Sequence, residues 1–245
     1  MSRDQIYAGD GDGNAPFRFD ESVAKVFPDM LRRSVPGYAA ALEAIGSLAA
    51  RYVTAGSLCY DLGCSLGAAT LAMRQGIRVP GCRIVAIDNA PAMIERCRQV
   101  IAEDDAANPQ RTPVDIVLAD IREAKLSAAS MIVMNYTLQF LDLRARDAMV
   151  GRICSGLVPG GLFLLSEKVV DEDPQMEALL VELHHEHKRR NAYSELEISR
   201  KRAAIENVLI PETVAAHRER LRQAGFAHTA VWLRYFNFVS IVAIR

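Results

Sequence analysis

The chain has 245 residues, of which 50% are hydrophobic and 24% are charged, and its formal net charge is -1. A chain of this length and apolar content can bury one large core, so we expect a single domain. The near-neutral charge gives no global basis for binding tRNA or other nucleic acids, because phosphates require a basic face. No apolar run approaches the roughly 20 residues that span a bilayer, so we expect no membrane association.

The cysteines indicate a reducing compartment. There are five of them, they are widely spaced, and no two form a Cys-x-x-Cys pair. This arrangement argues against a disulfide framework and against a zinc knuckle. The first 20 residues are polar, with several glycines, and lack the charged start and apolar core of a secretion signal. We therefore expect a cytoplasmic protein.

The N-terminal part divides into a polar segment and the start of the folded domain. Residues 1–18 contain too few apolar groups to pack, and we expect them to be flexible. Residues 19–245 are predicted to form one α/β domain. Asp20 can cap a first helix, in which Pro28 must cause a kink or a restart. After a Pro-Gly turn, Tyr38 begins a second helix.

Beyond residue 56, short apolar runs alternate with amphipathic helices, as in a mostly parallel sheet covered on both faces. The predicted strands are 57–61, 83–88, 114–118, 131–135, 162–166, 229–235 and 237–244. The short link between the last two permits an antiparallel pair but no crossover. A helical insertion is predicted at about 170–210, and a capping box from Ser194 to Glu197 starts its second half. The pattern predicts a seven-stranded sheet with an antiparallel terminal strand.

The first strand leads into a glycine loop at residues 61–67, Asp-Leu-Gly-Cys-Ser-Leu-Gly, and then directly into a helix. Open α/β sheets bind ligands at this end of their strands. Gly63 and Gly67 allow close backbone approach, and the helix N-terminus favours a carboxylate. A nicotinamide site needs G-x-G-x-x-G, and two of the three aligned positions fail. The loop instead resembles motif I of S-adenosylmethionine enzymes, with an ordinary strand-loop-helix as the alternative.

Polar residues also end the next three strands. Asp88 can accept hydrogen bonds from both ribose hydroxyls of an adenosine. Asp120 can accept one from the adenine amino group, with the backbone of Ile121 beside it. The fourth strand ends at Asn135, over the expected position of a sulfonium. Three consecutive strands therefore end in acidic residues, namely Asp61, Asp88 and Asp120, which is far less expected by chance than one such residue alone.

Two other features are more typical of ordinary structure. His184, His185 and His187 diverge around a helix and form no H-E-x-x-H arrangement, so we predict no metal site. The basic run at 188–190 could touch RNA, but such runs are more often solvated helix faces.

Several segments resemble the carboxy-S-adenosyl-L-methionine synthase family. They lie at residues 26–30, 33–38, 60–70, 87–89, 91–97, 137–141 and 193–199. The Cys-Ser pair of the glycine loop and the Tyr-Ser-Glu-Leu-Glu-Ile-Ser stretch at 193–199 are the most specific. The resemblance extends from about Phe19 to the end of the chain. It implies a Rossmann-like fold of the class I S-adenosylmethionine-dependent methyltransferases.

The resemblance also implies an activity. S-Adenosylmethionine would be a substrate whose methyl group is carboxylated by prephenate, which leaves as phenylpyruvate. The product would serve a partner tRNA carboxymethyltransferase that makes 5-oxyacetyluridine at the wobble position. A small-molecule methyltransferase is the alternative, and a non-catalytic S-adenosylmethionine- or tRNA-binding module is a third.

The resemblance also implies which residues form the ligand-binding site. The ligand contacts fall on Tyr38, Gly63, Cys64, Ser65, Asp88, Asn89, Asp120, Ile121, Asn135 and Arg202. The family is a homodimer, and Arg202 is expected to act in catalysis by reaching the ligand from the insertion of the neighbouring chain. The alternative for Arg202 is a solvated basic turn.

Overall fold

A computed structural model describes residues 2–8, 17–206 and 208–245. The helices are α1 (Glu21–Ser34), α2 (Tyr38–Tyr52), α3 (Ala68–Gly76), α4 (Pro91–Ala107), α5 (Leu143–Gly156), α6 (Pro174–Arg190), α7 (Glu195–Ile205) and α8 (Val214–Gln223), with a 3-10 turn at Leu138–Phe140. The strands are β1 (Leu58–Leu62), β2 (Arg83–Asp88), β3 (Val114–Leu118), β4 (Ala129–Asn135), β5 (Leu157–Val170), β6 (Glu212–Thr213), β7 (His228–Tyr235) and β8 (Phe238–Ile244).

The strands form one sheet in the order β3-β2-β1-β4-β5-β8-β7. Strands β1 to β5 are parallel to their neighbours, whereas β8 runs antiparallel to both β5 and β7. This arrangement confirms the predicted mostly parallel sheet with an antiparallel strand near its end. The two-residue β6, which pairs with β5 off this path, was not predicted because two residues carry no periodicity.

Both faces of the sheet are covered, as β4 illustrates. Met131 and Val133 pack in a cluster with side chains of α2 and α3. Ile132 and Met134 pack on the opposite face, in a cluster with side chains of α5 and α8. Successive side chains of a strand point to opposite faces, so a strand buried on both sides becomes a continuous apolar run.

Strand β5 is longer than the predicted 162–166. It begins at Leu157, which pairs with Ala129, and the pairing with β4 then shifts register before Met131. Gly160 has φ +78° and lies within this irregular start. At its far end β5 continues to Val170 because it gains β8 and β6 as partners.

Helix α1 continues through Pro28, so the predicted restart does not occur there, and the alternative, a kink, stays a prediction. The predicted cap is confirmed: Oδ1 of Asp20 accepts hydrogen bonds from the backbone N–H groups of Ser22 and Val23, at 2.9 and 3.0 Å. The capping box at the start of α7 is also present, with Ser194 and Glu197 bonded reciprocally. Within the described ranges, no helix is long and apolar enough to cross a membrane.

Residues 2–8 are held more firmly than the sequence predicts. Asp4 is only 1% exposed, and its backbone N–H donates to Oδ2 of Asp29 over 2.9 Å. Its carboxylate accepts from the hydroxyl of Tyr193, and its carbonyl accepts from Arg33 over 3.1 Å. The expectation of flexibility is therefore wrong for this part, because polar contacts replace the missing apolar ones. Residues 1 and 9–16 lie outside the described residues.

Candidate ligand-binding site

A cavity of about 790 Å³ lies at the carboxyl ends of the parallel strands. Its walls come from the strand-end loops, from α1 and the start of α2, and from α6 and α7 of the insertion. All ten residues of the predicted site line it: Tyr38, Gly63, Cys64, Ser65, Asp88, Asn89, Asp120, Ile121, Asn135 and Arg202. The fold therefore brings together positions that are up to 164 residues apart in the chain, from 38 to 202.

The glycine loop requires glycine at Gly63 for two reasons. Its φ is +81°, a left-handed conformation that other residues rarely adopt. A Cβ atom there would also lie 2.3 Å from Cγ2 of Thr137, which follows β4. Ser65 has φ +50° without being glycine, so the loop holds a second residue in this sparsely populated region.

Asp88 anchors this loop to the end of β2. Its Oδ2 accepts from the backbone N–H of Ser65 over 2.8 Å, and its Oδ1 accepts from that of Ala90 over 2.9 Å. Burial raises the pKa of Asp88, while the backbone hydrogen bonds favour the charged form. Because each carboxylate oxygen has a further lone pair, Asp88 can still accept two hydroxyl donors.

Asp61, at the end part of β1, is a cavity residue that sequence reasoning placed in the motif without a ligand role. Oδ2 accepts from Oγ1 of Thr70 over 2.6 Å, whereas Oδ1 is buried with no partner among the described residues. Burial raises the pKa of Asp61 to about 6. A buried carboxylate with a free oxygen at a cavity wall suits a cationic ligand group. Its position directly before the glycine loop was the available signal.

The carboxylate of Asp120 already forms an ion pair within the chain. The guanidinium of Arg122 pairs with both carboxylate oxygens, at 2.5 Å from Nη2 to Oδ2. The hydrogen bond from Arg122 lowers the pKa of Asp120. The Arg122 side chain is 55% exposed, and such pairs contribute little, so a ligand donor can displace it at small cost. Ile121 is buried beside Asp120.

The end of β4 carries another acceptor without a partner. Oδ1 of Asn135 is buried and has no hydrogen-bond partner among the described residues. The following Tyr136 has φ +63°, and its ring lies 6.3 Å from that of Tyr38 and 5.9 Å from that of Phe238. Burial raises the pKa of the Tyr38 phenol, so this hydroxyl stays protonated and can donate to a ligand.

The opposite wall of the cavity is basic. It contains Lys168 from the end of β5, Lys188 from α6, and Lys201 and Arg202 from α7. In the sheet, β5 lies two strands from β1, a separation of roughly 10 Å. The acidic groups at the ends of β1 to β3, here called the acidic end of the cavity, are therefore separate from Lys168. Lys168 and Arg202 in turn lie close enough to Lys188 to lower its pKa.

One sequence interpretation of this wall is wrong. The run at 188–190 was interpreted as a solvated helix face, and Arg189 and Arg190 are indeed exposed, but Lys188 is only 8% exposed. The signal was helical spacing, because Lys188 follows the buried His184 by four residues and shares its face. Nε2 of His184 lies 2.8 Å from the carbonyl oxygen of Ser34 and so must donate to it.

Among the described residues, no cluster of three or more His, Cys, Asp or Glu side chains that could hold a metal ion is found. Burial lowers the pKa of His184 to about 2, so its ring is neutral. The ring stacks edge-on against Phe238 at 4.8 Å. His184 therefore serves packing and the contact to α1.

Arg202 is exposed and lines the cavity of its own chain. The sequence analysis instead expects it to contact the ligand that is bound by a neighbouring chain. A contribution from a neighbour stays a prediction.

The sheet order and the strand-end cavity define a class I S-adenosylmethionine-binding fold, and comparisons with known proteins agree. A family profile described as "Methyltransferase domain" matches residues 60–161. Human N-acetylserotonin methyltransferase, solved with S-adenosylmethionine, superposes with a TM-score of 0.62 at 18% identity over 98% of this chain and 57% of that chain. A putative S-adenosylmethionine-dependent methyltransferase of Methanococcus maripaludis superposes with a TM-score of 0.59 at 19% identity, covering 95% and 96% of the two chains.

Sequence relatives narrow the assignment. Two proteins named carboxy-S-adenosyl-L-methionine synthase, from Citrifermentans bemidjiense and Trichlorobacter lovleyi, are each 52% identical over 99% of this chain and 98% of their own length. A third of that name, from Photorhabdus laumondii, is 51% identical over 99% of this chain and 95% of its own. The chain belongs to the carboxy-S-adenosyl-L-methionine synthase family.

Proposed function

We propose that this enzyme converts S-adenosylmethionine and prephenate into carboxy-S-adenosylmethionine and phenylpyruvate. The cavity's division into an acidic and a basic end carries the proposal. S-Adenosylmethionine brings an ammonium group, ribose hydroxyls and a sulfonium, which suit carboxylates. Prephenate brings two carboxylates, which suit cations. A single cavity of about 790 Å³ is in the range that holds both small molecules side by side.

At the acidic end, each group of the nucleoside has a matching partner. Asp88 is assigned to the ribose hydroxyls, and Asp120 with Ile121 to the adenine edge. The free Oδ1 of Asp61 suits the ammonium group of the methionine part. The glycine loop, through Gly63, Cys64 and Ser65, lets the backbone approach the ligand. Asn89 follows Asp88 at the same rim, and Tyr38 and Asn135 lie toward the sulfonium.

The proposed chemistry needs no strong protein base. Prephenate loses its ring carboxylate as carbon dioxide and its ring hydroxyl as hydroxide when the ring becomes aromatic. The hydroxide takes a proton from the sulfonium methyl, forming water and an ylide. The ylide carbon then bonds to the carbon of the carbon dioxide, so that one carboxylate moves to the methyl carbon. The protein aligns the two substrates and compensates the carboxylate charge.

Arg202 is proposed as the group that binds the new carboxylate. A guanidinium can hold a carboxylate through two parallel hydrogen bonds, which a lysine cannot do. Within the described ranges, the side chain of Arg202 forms neither an ion pair nor a hydrogen bond. We also propose that the protein forms a homodimer. Because Arg202 itself is exposed on α7, it is proposed to reach the cavity of the neighbouring chain in this dimer.

The wider setting is also proposed. The product would pass to a tRNA carboxymethyltransferase, and the present chain, with a net charge of -1, would not itself bind tRNA directly. The five cysteines are all free and buried, which supports a reducing, cytoplasmic setting.

The test is the mass of the nucleoside product. With S-adenosylmethionine and prephenate, the enzyme should yield a nucleoside heavier than the substrate by one carbon dioxide, together with phenylpyruvate. S-Adenosylhomocysteine as the product would instead indicate a small-molecule methyltransferase. Binding of S-adenosylmethionine without turnover would leave a non-catalytic binding module.

A further inference from the structure

Lys188 is a buried cation whose charge is not compensated by the described part of the chain. Its side chain lies at the wall of the cavity, and the residue is 8% exposed. No hydrogen bond or ion pair of its Nζ atom is found among the described residues. Burial, together with the charges of Lys201, Lys168 and Arg202, lowers the pKa of Lys188 to about 7. An ammonium group in this position lacks the anion that buried charges normally have.

The two neighbouring lysines differ from Lys188 in this respect. Nζ of Lys201 donates to Oγ of Ser34 over 2.9 Å and lies 3.6 Å from Oδ2 of Asp4, so its charge is compensated. The nearby carboxylate of Glu177 raises the pKa of Lys168, whereas burial and the charge of Arg202 lower it. Lys188 is therefore the buried lysine of this wall that lacks an anion, and a substrate carboxylate can supply it.

The chemistry of the proposed reaction indicates which of the two carboxylates of prephenate this anion is. The ring carboxylate of prephenate must leave as neutral carbon dioxide, and a cation paired with it would stabilise the reactant and slow its loss. The carboxylate of the 2-oxo acid side chain is unchanged in phenylpyruvate. A fixed lysine partner on this second carboxylate positions the substrate without opposing the reaction.

We propose that Lys188, with Lys168 beside it, binds the side-chain carboxylate of the 2-oxo acid substrate. The assignment rests on the proposed function and deepens it. It divides the basic wall into two parts: Lys188 and Lys168 position the substrate, and Arg202 receives the transferred carboxylate. Lys188 is thereby a determinant of specificity for the co-substrate.

The test compares the Lys188→Met and Lys188→Arg variants with the wild type. Lys188→Met should raise the KM for prephenate and the inhibition constant of phenylpyruvate together, by about 10- to 100-fold each. Phenylpyruvate is informative because it retains only the side-chain carboxylate. Affinity for S-adenosylmethionine should change less than twofold, and Lys188→Arg should recover part of the loss. Arg190→Gln removes an exposed cation of the same helix and should leave all values unchanged.

A structural role would give a different result. Replacing a buried uncompensated charge by an apolar side chain of similar length should leave Lys188→Met at least as stable as the wild type in thermal unfolding. A raised KM for prephenate with an unchanged phenylpyruvate constant would put Lys188 on the ring carboxylate and overturn the assignment. An unchanged KM would also overturn it, while wild-type formation of the carboxylated nucleoside would leave the proposed function intact.

Discussion

The backbone N–H of Ser65 donates to Oδ2 of Asp88 over 2.8 Å and so ties the glycine loop after β1 to the end of β2. The same carboxylate thus fixes the loop and faces the cavity.

Asp88→Ala should weaken binding of S-adenosylmethionine roughly 10- to 150-fold, because a hydrogen bond to a charged group contributes about 1.5 to 3 kcal/mol. Calorimetric titration of the folded variant measures this change. Glu95→Ala, which removes an exposed carboxylate of the next helix, is the matched control and should bind as the wild type does. Unchanged affinity in Asp88→Ala would refute the ribose assignment.

Asp61→Asn should separate stability from binding. Burial raises the folded-state pKa of Asp61 to about 6, above the usual aspartate value of about 4, so the charged form costs stability that is fully felt above pH 6 and disappears as pH falls below about 4. The asparagine removes this cost, and denaturant unfolding at pH 8 should show a gain of order 1 to 3 kcal/mol. Affinity for S-adenosylmethionine should fall, since the ammonium loses its counter-ion. A variant that gains stability but binds normally would argue against the ammonium role.

Arg202→Ala should lower affinity for carboxy-S-adenosylmethionine much more than affinity for S-adenosylmethionine, because only the former carries the new carboxylate. A selective loss of about tenfold or more is expected for a charge-assisted pair. Arg202→Lys retains the charge without the planar fork and should recover only part of the loss. Equal losses for both ligands would refute the carboxylate role.

Mixing Arg202→Ala chains with Asp88→Ala chains tests the proposed sharing between neighbours. If Arg202 serves the neighbouring cavity, a mixed dimer regains one site that has both residues, and activity should return. Absence of activity in verified mixed dimers would contradict sharing and favour the own-chain placement of Arg202.

The pH dependence of kcat/KM for prephenate should report Lys188. A lysine with a pKa of about 7 loses its charge above that pH and can no longer pair with a carboxylate, so kcat/KM should fall on the alkaline side. Its charged neighbours in the cavity wall, Lys168, Lys201 and Arg202, all lower the pKa in the same direction, and His184 is neutral. Lys188→Arg should flatten this decline, because arginine stays charged. An identical decline in both proteins would assign it to another group.

Sequence reasoning located the acidic end of the site well, for a physical reason. Asp88 and Asp120 sit where predicted strands stop, and parallel strands end at one edge of the sheet. The continuous apolar run of β4 likewise predicts a strand that is covered on both faces. Lys188 and Asp4 were missed because their burial depends on how α6, α7 and the N-terminal segment pack together. For Asp4 nothing local distinguishes it from a solvated charge, and for Lys188 the only local signal is its spacing of four residues from His184.

The most direct measurement follows the ring carboxylate of prephenate. Prephenate labelled with carbon-13 at that carboxylate is incubated with S-adenosylmethionine and the enzyme, in the presence of unlabelled bicarbonate, and the nucleoside is examined by mass spectrometry. The account predicts carboxy-S-adenosylmethionine that carries the label, formed in equal amount with phenylpyruvate. Formation of S-adenosylhomocysteine, or of an unlabelled carboxylated nucleoside, would contradict transfer of the carboxylate from prephenate.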